Sequence, residues 1–177
     1  ILVLVVPLLA GGQVTSRRAF RQVAETIDYD SHFVFTRIRY GARQGLARGF
    51  FGGGGSGWAH DYPIADRNLA AILDYITNMR VRTDGSNILD LDAPQIFENP
   101  ILYMSEPGYW TTTENEAKNL RAYLLKGGFI IFDDFEGDGH WHNLVAQMQQ
   151  ALPGYHFIPL DISHQIFQTF FGIKVLD

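Results

Sequence analysis

Asp133 and Asp134 stand side by side where the apolar run Phe129–Phe132 ends. A carboxylate pair in that position can hold a cation, act as acid and base, or cap the turn and helix that follow. Neighbouring residues of a continuing strand point to opposite sides, so only one of the two faces a cleft unless a turn begins there. His140 and His142 come shortly after, and Asp with His is a donor set for zinc, manganese or iron. On a helix of 3.6 residues per turn the two imidazoles lie roughly 200° apart, which favours surface histidines over a shared ion. His164 can reach the strand ends from the last loop or belong to a turn, and Asp134 with His164 is the pair to examine for a metal. Arg37 and Tyr40 close a second apolar segment, Ser105 closes a third, and Asp61 precedes a helix. The candidate ligand-binding residues are therefore Arg37, Tyr40, Asp61, Ser105, Asp133, Asp134 and His164.

Other patterns carry less. Ser105 lacks the Gly-x-Ser-x-Gly elbow that exposes a serine nucleophile. Gly52-x-Gly54-x-x-Gly57 matches a dinucleotide fingerprint in form, but no strand directly precedes it, no helix opens on it, and no Gly-Lys-Ser/Thr follows. Trp58, Tyr62, Tyr109 and Trp110 fall between helical stripes, where rings can either wall a carbohydrate-like ligand or cover the ends of a sheet. The chain names no cofactor.

Composition removes whole classes of function. With 177 residues, 46% hydrophobic and 19% charged, the chain suits one compact domain. Its net charge of -5 gives no field to attract nucleic acid. Cysteine is absent, which excludes disulfides, thiolate metal sites and every thiol nucleophile. The opening run Ile1–Ala10 is too short for the ~20 residues of a membrane span. Followed by Gly11-Gly12, it is expected to be a truncated export signal over 1–12, which would place the mature domain in the periplasm; the competing reading is a buried first strand interrupted by Pro7.

The elements that must position the candidates follow from periodicity. Phe20, Val23 and Ile27 share one helical face in a lead-in segment over 13–31. Phe33–Tyr40 is a strand with a polar end, and the glycine-rich stretch 41–57 a mobile surface loop. Leu69, Ile72, Leu73, Ile76 and Met79 mark an amphipathic helix, and Ile88–Leu91 and Pro100–Met104 two strands. Thr113 and Glu116 form a capping box ahead of Ala117, Leu120 and Leu124, and Gly127-Gly128 stops that helix. Phe129–Phe132 is the most apolar strand. Trp141, Leu144, Val145, Met148 and Leu152 make a third helical stripe, and His156–Leu160 reads as an edge strand. Alternating strands and helices predict a three-layer α/β/α domain over 32–177, flavodoxin-like, with a mostly parallel sheet and ligands taken up beyond the carboxyl ends of its strands. The apolar end at Phe170–Leu176 suggests that the domain continues past residue 177.

Phe35–Tyr40, Trp58–Asp61 with Asn68-Leu69, Asn119–Leu124 with Gly127–Phe129, and Asp133-Asp134 together resemble the domain of unknown function 4159 family, in order and from about residue 32 onward. The resemblance implies a divergent branch of the class I glutamine amidotransferase-like superfamily, often exported from bacteria, and no established activity. Relatives in that superfamily carry a cysteine on the turn after the strand matching Phe129–Phe132. Here the turn reads Asp133-Asp134-Phe135-Glu136-Gly137, and Ser105-Glu106-Pro107-Gly108 replaces a Gly-His-Gly-like turn. The expected function is a non-catalytic module binding a small polar ligand or a protein partner. The alternative is a metal- or carboxylate-dependent hydrolase acting on a polar substrate at the same strand ends.

Overall fold

The computed structural model describes residues 26–28, 30–42, 57–169, 172, 174 and 175. The expected export signal over 1–12, nearly all of the expected lead-in segment, the glycine-rich stretch between 43 and 56 and much of the final apolar run lie outside the described residues.

Four strands form one parallel sheet: β1 (Thr36–Arg39), β3 (Asn87–Asp90), β4 (Ile101–Ser105) and β6 (Phe129–Asp133), in the order β3-β1-β4-β6. Two short strands, β2 (Gly41–Ala42) and β5 (Trp110–Thr111), pair antiparallel above it. Among the described residues three α-helices complete the α/β fold: α1 (Ile64–Ile76), α2 (Glu114–Leu125) and α3 (Gly137–Ala151). In the described sheet the inner strand β1 comes first, β3 is added on one side, and the chain then crosses back to lay β4 and β6 on the other. Strand order therefore reverses between β1 and β4, the place where doubly wound sheets open a crevice. Among the described residues no helix is long and apolar enough to cross a membrane.

Register assigns the side chains to faces, because paired residues of neighbouring strands point the same way. Ile38, Leu89, Leu102 and Met104 turn to one face and meet Leu120 of α2 and Leu144 of α3; this is the hydrophobic core. Trp110 is fully buried in the same cluster and stacks on Phe132. The capping box forms as expected, with the Glu116 amide donating to Thr113 Oγ1 at 3.3 Å and the Thr113 amide to Glu116 Oε2 at 2.7 Å. Gly127 ends α2 at φ 96°, a conformation costly for any residue with a Cβ. Gly128 is needed for a different reason: a Cβ there would stand 2.3 Å from the Tyr123 ring.

The opposite face is less complete than a doubly covered sheet. Arg37 and Tyr103 lie on it under α1, but farther along Phe129 is 54% exposed. The helix stripe expected between Leu69 and Met79 is rotated outward as well. Asp66 and Ala70 are buried and Leu69 and Leu73 half-buried, whereas Ile72, Ile76 and Met79 face solvent. The anchor of α1 is ionic, and it turns the helix so that Asp66 faces the sheet. His156–Leu160, expected as an edge strand, forms no strand, and its residues are exposed. Trp58, Tyr109 and Trp110 are buried, so these three rings pack the sheet ends and do not wall a pocket.

Candidate functional site

The floor of the site is Arg37, wholly buried in β1. Its guanidinium donates through Nε and Nη2 to Asp66 Oδ1 at 3.0 and 2.5 Å, and Ser86 Oγ donates to the other carboxylate oxygen at 3.0 Å. Nη1 donates to the carbonyls of Trp58 and His60 at 3.0 and 3.1 Å. The Tyr103 ring lies 4.9 Å from its charge centre. A buried cation demands this full set of partners, because leaving one charge uncompensated away from water is costly. The arrangement makes Arg37 a strut: it ties β1 to α1 and fixes the backbone that presents His60.

Tyr40 holds the next layer. Its hydroxyl donates to the Glu106 carbonyl at 2.6 Å, and burial, with Glu106 nearby, pushes its pKa well above the ordinary phenol value. Gly57 lies against that hydroxyl, where a Cβ would come within 2.6 Å. The Glu106 amide donates to the Asp133 carbonyl at 2.9 Å, which locks the β4 turn to the end of β6. The turns on all three sides use left-handed backbone at residues other than glycine: Asp61 at φ 56°, Glu106 at 52° and Asp134 at 59°.

On this base four polar side chains converge. His60 Nδ1 is hydrogen-bonded to Asp134 Oδ2, from a residue 74 positions away, and lies 3.8 Å from Glu106 Oε1. The other ring nitrogen, Nε2, is 4.0 Å from Asp61 Oδ1. One ligand atom each from His60, Asp61 and Asp134 lies within 4.8 Å of the others. Burial, the charge of Asp134 and that of Glu136 raise the Glu106 pKa, against the lowering effect of His60.

The structure brings Asp61 and Asp134 together and places Tyr40 and Arg37 beneath them. Asp133 turns elsewhere: one oxygen accepts from the Asp134 amide at 2.9 Å and the other from Tyr103 Oη at 2.9 Å. That contact and burial push the Tyr103 hydroxyl up to about 12, burial being the larger cause. Of the two adjacent carboxylates, one shapes the turn and the other enters the cluster. Ser105 is buried at the end of β4. His164 caps the final 3-10 turn, its Nδ1 accepting from the Ile166 amide at 3.3 Å, and is not part of the His60 cluster. His140 packs edge-on against Tyr109 at 4.7 Å and accepts from the Glu136 amide, a structural placement separate from His142. His60 and Glu106 were not among the sequence candidates. His60 has no local signature beyond its place in Trp58–Asp61, after a glycine-rich stretch.

Fold and site define a parallel α/β domain with an acidic, histidine-containing cluster at the reversal of strand order. A family model described as Domain of unknown function (DUF4159) matches residues 34–176, and the chain belongs to that family. No curated protein matches it.

Proposed function

We propose that this domain is a non-catalytic binding module for a small hydroxyl-rich ligand, seated over His60, Asp61, Glu106 and Asp134. The observation that carries the reading is the meeting of His60 with Asp134, from opposite parts of the chain, at the carboxyl ends of the strands. Carboxylates that accept hydrogen bonds suit the hydroxyl groups of carbohydrate-like molecules, and their shared negative charge disfavours anionic ligands. The absence of cysteine supports a member of the amidotransferase-like superfamily that does not hydrolyse glutamine. The apolar segment Ile1–Ala10 with Gly11-Gly12 supports a periplasmic setting. Titrating isotope-labelled protein with a panel of neutral sugars and polyols should shift the backbone amides of His60, Glu106 and Asp134 first. Shifts confined to another surface would overturn the reading.

A hydrolase at the same place is the second reading, favoured by one observation. A carboxylate bonded to one ring nitrogen orients the other toward a reacting group, as Asp134 does for His60. Release of reducing sugar from oligosaccharides, abolished in His60→Ala, would replace the binding module with this enzyme.

A further inference from the structure

The geometry points to a divalent transition-metal site formed by His60, Asp61 and Asp134, in which the ion is part of the ligand-binding surface. The inference rests on the reading of this cluster as the functional site and adds what that site holds.

Three observations carry it. The first is donor identity and spacing: one imidazole nitrogen and two carboxylate oxygens already lie within 4.8 Å of one another. An ion bonded to each at about 2.0–2.2 Å would take the place of the His60–Asp134 hydrogen bond and draw in Asp61. The second is charge. Asp61, Asp134 and Glu106 surround a single imidazole, while Arg37 beneath them is committed to Asp66 and to two carbonyls. Among the described residues the cluster therefore gathers more carboxylates than cationic partners, a charge that a cation balances and a sugar hydroxyl does not. The third is support. His60 is held through its carbonyl by a fully buried arginine, and Glu106, only 13% exposed in its side chain, stands beside the ring to anchor a metal-bound water or the ligand.

The donor set selects the ion. A chain without thiolates, offering one imidazole with carboxylates, suits Zn²⁺ or Mn²⁺ with water or ligand oxygens filling the remaining positions. Bound there, the ion would chelate neighbouring hydroxyl groups and admit ligands that carry a carboxylate. Such ligands are disfavoured by the cluster alone.

Calorimetric titration of the metal-free full chain with Zn²⁺ and, separately, Mn²⁺ tests this. The expected result is one equivalent bound by the wild-type protein, with affinity reduced at least roughly tenfold in Asp134→Asn and in Asp61→Asn and lost in His60→Ala. Far-ultraviolet circular dichroism should show all three variants folded, and His140→Ala and His164→Ala should bind as wild type. No uptake by the wild-type chain, or uptake that survives His60→Ala and Asp134→Asn, overturns the metal site. Sugar-induced amide shifts at Glu106 and Asp134 that persist with a chelator present would remove the metal and leave the binding module standing. Metal uptake without any sugar-induced shift would keep the ion and remove the sugar.

Discussion

Two ionic assemblies lie one above the other at the carboxyl ends of the strands, and they are built in opposite ways. Arg37 and Asp66 are hidden from solvent, and each donor of the guanidinium that the structure pairs has an internal acceptor. Asp134 and His60 are partly exposed, with further carboxylates crowding the same ring. The lower assembly balances its charge from within, whereas the upper one, among the described residues, gathers three carboxylates around one imidazole. Closure of charge is the mark of a structural pair, and a surplus presented to solvent is the mark of a surface awaiting something.

The comparison makes its strongest demand on Asp66. Asp66→Asn keeps the shape of the side chain and strands a buried guanidinium, so chemical denaturation should show a loss of about 3–5 kcal/mol. A loss near zero would mean that Arg37 has another way to reach water, and the lower assembly would not be the strut described above. Tyr40→Phe removes one hydrogen bond to the Glu106 carbonyl and should cost about 1–2 kcal/mol in the same measurement. In the upper assembly Asp134→Asn should change stability by only about 0–1 kcal/mol, because the pair it breaks is exposed and screened. A larger loss there would erase the distinction between the two layers.

Acid and base titrations sharpen the contrast at the smallest scale. The raised pKa of Glu106 means that the folded chain holds this proton more tightly than the unfolded chain. Its contribution is present below the ordinary glutamate pKa and is lost as pH rises through the raised value, so Glu106→Gln should be no less stable than wild type at neutral pH in the absence of metal. Asp30 behaves in the opposite sense. Its hydrogen bond to Arg82, then that to His32, hold its carboxyl down to about 2. Its contribution is present above the ordinary aspartate pKa and fades as pH falls toward 2, and Asp30→Asn should flatten that acid limb in thermal melts. Matching pH slopes for the two variants would contradict the assignment of opposite environments.

Sequence reasoning reached the alternating elements because their signals are local. Thr113 with Glu116 and the φ 96° glycine at 127 are such cases, each settled within a turn of chain. It points to the carboxyl ends of the strands as the edge to search because parallel topology gathers loops there. Asp61 and Asp134 were accordingly among the residues named. Their partner His60 was not, since the contact that gives it meaning spans 74 positions and has no periodic trace. Its place at a strand end marks Arg37 as a candidate ligand contact, but nothing local announces that Asp66 lies opposite it. The same pair explains the turned helix: a carboxylate anchored to Arg37 decides which side of α1 meets the sheet, and Ile72 and Ile76 follow outward. The expected strand at His156–Leu160 failed for a different reason. β-rich composition marks a segment able to pair, while pairing also needs a neighbouring edge in register, and this segment joins no ladder of the sheet.

The central claim, that the upper assembly is an incomplete site completed by a cation, is tested most directly by anomalous diffraction from crystals of the full chain grown with Mn²⁺. The account predicts a single strong peak bonded to one ring nitrogen of His60 and to oxygens of Asp61 and Asp134, at about 2.0–2.2 Å from each. A map with no peak there, or with peaks only at His140, His142, His156 or His164, would contradict it.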